Sequence, residues 1–374
     1  MDKVKNKLLS AFKNPIFFCL LCFLLSRVIF LGSGYLVYYS HDELPAPAGY
    51  YDEYPYSIEE KSLSNLLFFY DSSHYFSIAQ EGYKRQTTPF YPLYPLLIKL
   101  SGNTILSSII LSNLLFGVGL LGLFKLGKEK AVLFACASPI GIVFSAVYSE
   151  SLFFCLSAWF LYYIRERKLL VAGVLAGLGA LSRSPGWILV AAIAVTGLTE
   201  YAEKRSSKAL LPYFRVIIIA VAIGLAYPLY QAIVFGDPLT NSVVAGKGFF
   251  RQLTPFWWGT YKDILRVING DQSALFILLN LAIGWMWITG SLKIPKYIVP
   301  GLLYSLFILS FPIINPNYMF ATHSLIRYAC AWPGAYLGFG EIFQTKTGTI
   351  IFVVFSAAIG ILVSMLISMK AFLF

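Results

Sequence analysis

Six residues with reactive or charged side chains, Asp71, His74, Glu150, Arg183, Asp237 and Arg327, interrupt or border long apolar runs. A charge near a bilayer core costs on the order of a few kcal/mol, so each needs a reason to be there. A carboxylate can accept the proton of an attacking hydroxyl. An arginine can grip a phosphate bidentately and stabilise negative charge as that phosphate departs. Together they suit transfer of a group from a lipid phosphate to an alcohol. Other chemistries lack their parts. There is no glycine-rich phosphate loop with a lysine, no His-Glu-x-x-His and no Gly-x-Ser-x-Gly, and the three histidines are too widely spaced for a metal cluster.

Each residue also has a plain structural explanation. Asp71 and His74 would share one face of a helix, where Asp71 could serve as a cap and His74 as an interfacial hydrogen-bonding group. Glu150 could be a boundary charge. Arg183 and Arg327, the latter close behind His323, could snorkel to headgroups. Asp237 before Pro238 reads as a turn. Arg27, inside the first apolar run, could pair with a carboxylate or act as an anchor. What favours chemistry is that a span map places all six on one side of a membrane.

That map starts from composition. The 374 residues are 58% hydrophobic and only 13% charged, against about 25% charged in a soluble domain. Aromatics reach 17%, which suits long membrane–water boundaries. Apolar runs predict spans at 15–39, 89–124, 131–149, 151–164, 169–182, 185–199, 212–235, 275–292, 297–315, 327–343 and 348–369. Pro89, Pro92 and Pro95 predict an irregular lead-in before a helix that starts near Thr104. The first run follows a basic start and carries no small-residue cleavage site, so it reads as a retained signal anchor. The five cysteines all lie in apolar runs, and Cys19 and Cys22 lack the partners of a metal site, which leaves packing as their role.

The basic residues orient this map. Lys3, Lys5, Lys7, Lys13, Lys125, Lys128, Lys130, Arg165, Arg167, Lys168, Lys204, Arg205, Lys208, Arg215, Lys293, Lys296 and Lys346 fall on the same side as the N-terminus and make 17 of the 29. This is the positive-inside pattern with a cytoplasmic N-terminus, and it accounts for most of the net charge of +11 without a nucleic-acid partner. Two outer loops remain, about 40–88 and 237–274, the first of them acidic. Within it, Leu63 to Gly82 reads as an amphipathic helix on the outer interface, since Leu63, Leu66, Leu67, Tyr70 and Ile78 recur at helical spacing. No internal repeat and no separate soluble domain is evident, so 1–374 reads as one transmembrane domain.

Several segments resemble one family. Tyr70-Asp71-Ser72-Ser73-His74-Tyr75-Phe76-Ser77-Ile78-Ala79-Gln80-Glu81-Gly82-Tyr83 resembles the Trp-Asp…His-aromatic…Ile-Ala…Gly-Tyr motif of the PIG-V-type mannosyltransferases, which include GPI mannosyltransferase 2. Phe90 to Leu96 is similar to the family's Phe-Phe-Pro…Pro-Leu segment. Ser138-Pro139 followed by Phe144-Ser145-Ala146-Val147-Tyr148-Ser149-Glu150-Ser151-Leu152-Phe153 is similar to its Tyr-Ser-Glu-Ser-Leu-Phe signature, and Ala180 to Gly186 to its Arg-Ser motif. Gly236-Asp237-Pro238-Leu239 and Arg327-Tyr328 match weaker patches. Tyr70 stands where the family has Trp, and Pro185 where it often has Asn.

The resemblance implies a GT-C fold of about eleven transmembrane helices. It implies transfer of a hexose, mannose above others, from a polyprenyl (dolichyl) phosphate donor to a glycolipid such as a GPI precursor, or to a protein. The reaction would take place in the lumen of the endoplasmic reticulum or, in a prokaryote, outside the plasma membrane. Asp71 matches the general base, with Asp42 and Glu43 as rivals in the same loop. His74 would position the acceptor or support the base, and Arg183 and Arg327 would hold the donor phosphate. Glu150, Asp237 and Tyr70 would line the substrate site. No cofactor is called for beyond the lipid-phosphate donor, and a divalent cation held by Asp71 with another acid stays open. A transporter or lipid flippase is the competing class, although such proteins place their charges near the midplane of repeated halves. A non-catalytic membrane subunit is the third.

Overall fold

In lipid, a backbone N–H or C=O finds no partner except within its own helix, so apolar runs of this length are driven into helices. The computed structural model describes residues 14–40, 62–315, 317 and 319–369. Seventeen α-helices form among them, and the only extended pairing there is an isolated bridge between Arg251 and Ile313. In chain order the helices are α1 (Pro15–Ser40), α2 (Leu63–Leu66), α3 (Asp71–Glu81), α4 (Leu93–Leu100), α5 (Ile105–Cys136) and α6 (Glu150–Arg165). Next come α7 (Leu169–Ser182), α8 (Trp187–Lys204), α9 (Leu210–Gly224), α10 (Ala226–Phe235), α11 (Thr240–Gly248) and α12 (Trp258–Ile268). The chain ends with α13 (Ala274–Ser291), α14 (Ile298–Ser310), α15 (Leu325–Cys330), α16 (Pro333–Ile342) and α17 (Lys346–Ser368).

Among the described residues, six stretches are long and apolar enough to cross a membrane: α1, α5, α8 with its lead-in from Ser184, the α9–α10 pair, α13 and α17. This is the make-up of a multi-pass membrane protein. The shorter apolar helices at Leu169–Ser182 and Pro295–Ser310 pack among them. Helix α1 lies against α5 and α17, α5 against α6 and α16, and α7 against α6, α8 and α9. The helix expected from near Thr104 starts there, with the Thr104 hydroxyl accepting from the Ser107 N–H. The five cysteines are buried and unpaired.

Four expectations need correction. The stretch 131–149 is not a span. Helix α5 ends at Cys136, and residues 137–149 form a chain of turns that is wholly buried. Pro139 and Gly141 favour the break, and neighbouring side chains satisfy the polar groups, which is how a membrane protein tolerates non-helical backbone. The Ser145 hydroxyl donates to Asn113 Oδ1 (2.8 Å), and Tyr336 donates to Ser138 Oγ (2.8 Å). Arg27 neither meets a carboxylate nor reaches a headgroup. It is buried in α1, donates to the Gly141 carbonyl (2.9 Å) and Ser145 Oγ (2.6 Å), and stands over the rings of Phe23 and Phe116. Likewise 327–343 is two short buried helices broken at Trp332-Pro333.

The fourth correction concerns Leu63 to Gly82. It is no continuous interfacial helix, because Leu67 to Tyr70 separates α2 from α3. Leu66, Leu67, Tyr70 and Ile78 are indeed buried, but so are Ser72, Ser73 and Ser77 on α3, so the helix packs into protein. The more amphipathic helix is α12, inside the second predicted loop, which exposes Tyr261, Ile264 and Ile268.

Close helix contact depends on small residues. A Cβ on Gly177 of α7 would come within 2.9 Å of the Ala220 carbonyl and 2.7 Å of Ile223 on α9. Gly117 on α5 has no neighbour within 4 Å of the same position. Gly177→Ala should therefore destabilise the chain by about 1–3 kcal/mol through overpacking, whereas Gly117→Ala should stabilise it by about 0.5–1 kcal/mol. Thermal unfolding of the two purified variants in detergent checks the sign; equal melting temperatures would refute the α7–α9 contact.

Candidate functional site

The buried turns of 137–149 deliver Glu150 to the first turn of α6, where it is 1% exposed. A carboxylate so placed needs a cation, and two arginines from distant parts of the chain supply it. Arg183 Nη1 lies 2.7 Å from Glu150 Oε1, and Arg327 Nε lies 3.2 Å from the same oxygen. Arg327 Nη1 then donates to Asp71 Oδ2 at 2.7 Å. Four of the six residues singled out in the sequence are thus one network, Asp71–Arg327–Glu150–Arg183, with charges that cancel.

Local backbone places each member. Asp71 opens α3 from Tyr70, which takes the left-handed φ of 41°. The Asp71 N–H donates to the Tyr148 hydroxyl (3.2 Å), and Tyr75 is hydrogen-bonded to Ser149 (2.7 Å), so α3 is tied to the buried turns. Arg183 is an extended residue between α7 and α8, at a corner so tight that a Cβ on Gly186 would overlap the Gly179 carbonyl. Arg327 lies on α15, which starts from Ser324 at φ 74°. The loop before it is pinned by two residues that sequence reading missed. Asp263 of α12 accepts from the N–H groups of Ala321 (2.6 Å) and Thr322 (2.7 Å) and from the Thr322 hydroxyl (2.6 Å). Asn280 of α13 donates to the Thr322 carbonyl (2.9 Å) and accepts from the Ile326 N–H (3.1 Å).

Asp71 is the member that solvent or a ligand can reach: its side chain is 27% exposed, against 1% for Glu150 and 7% for Arg327. Burial pushes its carboxyl up, but Arg327, His74 and Arg183 outweigh that and hold it below the usual carboxylate range. His74, one turn along α3, stacks on Phe90 at 4.4 Å. Tyr70 is buried at the head of the helix, its ring edge-on to Phe69. Asp237 is not in the network. It sits in the turn between α10 and α11, accepting from the Leu239 N–H (2.9 Å), which matches the plain reading of its sequence. Asp42 and Glu43 lie outside the described residues. Arg183 and Arg327, expected to hold a donor phosphate, each face a carboxylate. Among the described residues no cluster of His, Cys, Asp and Glu could hold a metal ion.

One further residue joins the site. The guanidinium carbons of Arg183, Arg327 and Arg251 lie 4.9, 5.1 and 5.4 Å from the centroid of the Tyr328 ring. Sequence reading left Arg251 aside because it stands in an ordinary polar loop, with no motif around it.

Removing one partner of a buried ion pair costs about 3–5 kcal/mol, because the other charge is left unpaired. Glu150→Gln should lose that much stability, and adding Arg183→Gln should recover part of it. Additive losses in the double variant, measured by chemical unfolding, would show that the two residues do not act as a pair. The pH response follows from the depressed Asp71 value. Its ion pair contributes fully above the unfolded pKa of about 3.9 and is lost only as pH falls through the lower folded value. Melting temperature should therefore show no Asp71-dependent step between pH 5 and about 8; a step in that range abolished by Asp71→Asn would contradict the assignment. Comparison of the chain with protein-family models, with curated proteins and with solved structures finds no match to any of them.

Proposed function

We propose that the chain is a membrane glycosyltransferase that moves a hexose, mannose above others, from a polyprenyl-phosphate donor to a hydroxyl of a glycolipid, in the manner of the PIG-V-type family it resembles. The observation that carries this reading is Asp71: an ionised, partly exposed carboxylate fixed at a helix start beside a buried arginine network. In the reaction, the acceptor oxygen forms a bond to the anomeric carbon as the bond from that carbon to the phosphate oxygen breaks. The electron pair leaves with the phosphate, and the acceptor's proton passes to Asp71. A base with a low pKa suffices when the sugar carbon carries much positive charge, because the attacking hydroxyl then becomes strongly acidic as its bond forms. Attack from the side opposite the phosphate inverts the anomeric centre. Arg327 and Arg183, already oriented by their carboxylates, offer fixed donors beside the departing phosphate.

The same reading gives the chain a GT-C fold, in which shorter and broken apolar helices add to the six long ones to approach eleven spans. It puts the N-terminus in the cytoplasm and the site on the lumenal or extracytoplasmic face. The membrane is that of the endoplasmic reticulum in a eukaryote and the plasma membrane in a prokaryote. Introduced cysteines at 204 and 262 should label from opposite sides of sealed vesicles, 262 from the outside; labelling of 204 from outside would invert the map.

The direct test is incubation of the purified chain with labelled dolichyl-phosphate-mannose and a glycolipid extract. Labelled product should form, and Asp71→Asn should reduce turnover by roughly 10²–10⁴ with little effect on folding. If Asp71→Asn stays active while Asp42→Asn or Glu43→Gln is dead, the base is one of those residues. If the native chain forms no product with any acceptor and instead moves the donor across vesicles, it is a transporter or flippase.

A further inference from the structure

Arg251 lies in the segment between α11 and α12, and this segment pairs with the one that follows α14. The Ile314 N–H donates to the Phe250 carbonyl (2.9 Å), and the Thr254 N–H to the Ser310 carbonyl (2.9 Å). Phe250 takes a left-handed φ of 52° within this clasp. The clasp fixes the Arg251 backbone, and the side chain turns toward Tyr328. Its Nη1 donates to the Phe311 carbonyl (2.9 Å), while its Nη2 makes only a long contact to Ser324 Oγ (3.5 Å). Among the described residues no carboxylate stands within ion-pair distance of Arg251, unlike Arg183 and Arg327.

Charge counting then sets a requirement. Three arginines ring Tyr328 against the two carboxylates of the network, so one guanidinium in a half-buried place has no carboxylate of its own. Like charges gathered in a region of low dielectric repel strongly unless an anion joins them. Arg251 and Tyr328 also line one small cleft, together with Thr322, His323 and the apolar Ile308, Leu309, Pro312 and Leu325.

We propose that Arg251, with Tyr328 as its backing plate, is the seat for the phosphate of a lipid-linked ligand, while Arg183 and Arg327 stay with Glu150 and Asp71. Nη2 exchanges its long contact to Ser324 for a phosphate oxygen, which loses little, since a hydrogen bond at that length is weak. This assignment rests on the lipid-phosphate donor of the proposed function and moves the direct contact from the two paired arginines to the unpaired one.

Geranyl phosphate, geraniol and inorganic phosphate, titrated into the purified full-length chain in detergent by calorimetry, test it. The native chain should bind geranyl phosphate more tightly than either of the others. Arg251→Gln should weaken geranyl phosphate about 30-fold or more and leave geraniol unchanged. Arg251→Lys keeps a donor for the clasp and should fold even if the glutamine variant does not, yet bind about tenfold more weakly for want of the planar fork. Native affinity in both variants would overturn the proposal, and inorganic phosphate binding as tightly as geranyl phosphate would overturn its lipid part. The two readings separate cleanly. Phosphate binding that depends on Arg251 in a chain that transfers no sugar keeps the seat and removes the transferase. Sugar transfer with undiminished phosphate binding in Arg251→Gln does the reverse.

Discussion

A carboxylate with almost no solvent contact, Glu150, constrains the rest of the site. Left alone in this interior it would be too costly to keep ionised. Two arginines meet the same oxygen, Arg183 from the α7–α8 corner and Arg327 from α15. One carboxylate between two guanidiniums leaves a positive charge, and Asp71 on α3 balances it. Four segments far apart in sequence are thereby held by one electrostatic condition, since removing any member exposes the remainder to an uncompensated charge. A hydrophobic alternative of the same volume could pack as well or better, so stability alone does not account for a buried quartet. A demand for fixed charges in a fixed place accounts for it.

The scaffold around the quartet is also arranged for position rather than for maximal stability. Asp71 and Arg327, which meet at 2.7 Å, both lie on helices that begin from non-glycine residues in the left-handed region, Tyr70 and Ser324. Each such residue costs on the order of 1–3 kcal/mol and persists only where the surroundings over-determine it. Tyr148 and Ser149 supply that support on one side, through Asp71 N–H and Tyr75. Asp263 and Asn280 supply it on the other, through the backbone of 321–326. The buried turns of 137–149 link the two halves, because they also receive Arg27 and Tyr336.

Much of this was legible in the sequence, for reasons that differ from element to element. The ends of α1, α7, α13 and α17 fall within two residues of the apolar runs, because a lipid-facing helix must end where apolar residues end. Residues 131–149 misled because apolar composition says only that a segment avoids water. It does not separate a helix in lipid from coil wrapped in protein. The periodicity at 63–82 misled similarly: a helix with one apolar face looks the same whether that face meets lipid or other helices. The site residues were found by the cost of a charge in an apolar setting, a test that picks out Glu150, Arg183 and Arg327. It cannot see Asp263 or Arg251, which stand in polar stretches and gain their meaning only from the chain that folds onto them. Nor does it separate Asp237, whose Asp-Pro turn was as readable as any functional role.

A neutral quartet also answers a difficulty of any site that must hold an anionic lipid. Arginines strong enough to bind phosphate would, if unpaired, be poorly tolerated in the same interior before the ligand arrives. Pairing Arg183 and Arg327 with Glu150 and Asp71 lets them be buried in advance, already oriented, so that no reorganisation is needed when negative charge appears nearby. The pairing weakens their net pull on a ligand, however, and an entirely compensated site would have little attraction for a phosphate. Arg251, held only by a carbonyl and a distant hydroxyl, supplies the imbalance. Preorganisation and attraction are thus assigned to different arginines around the one ring of Tyr328.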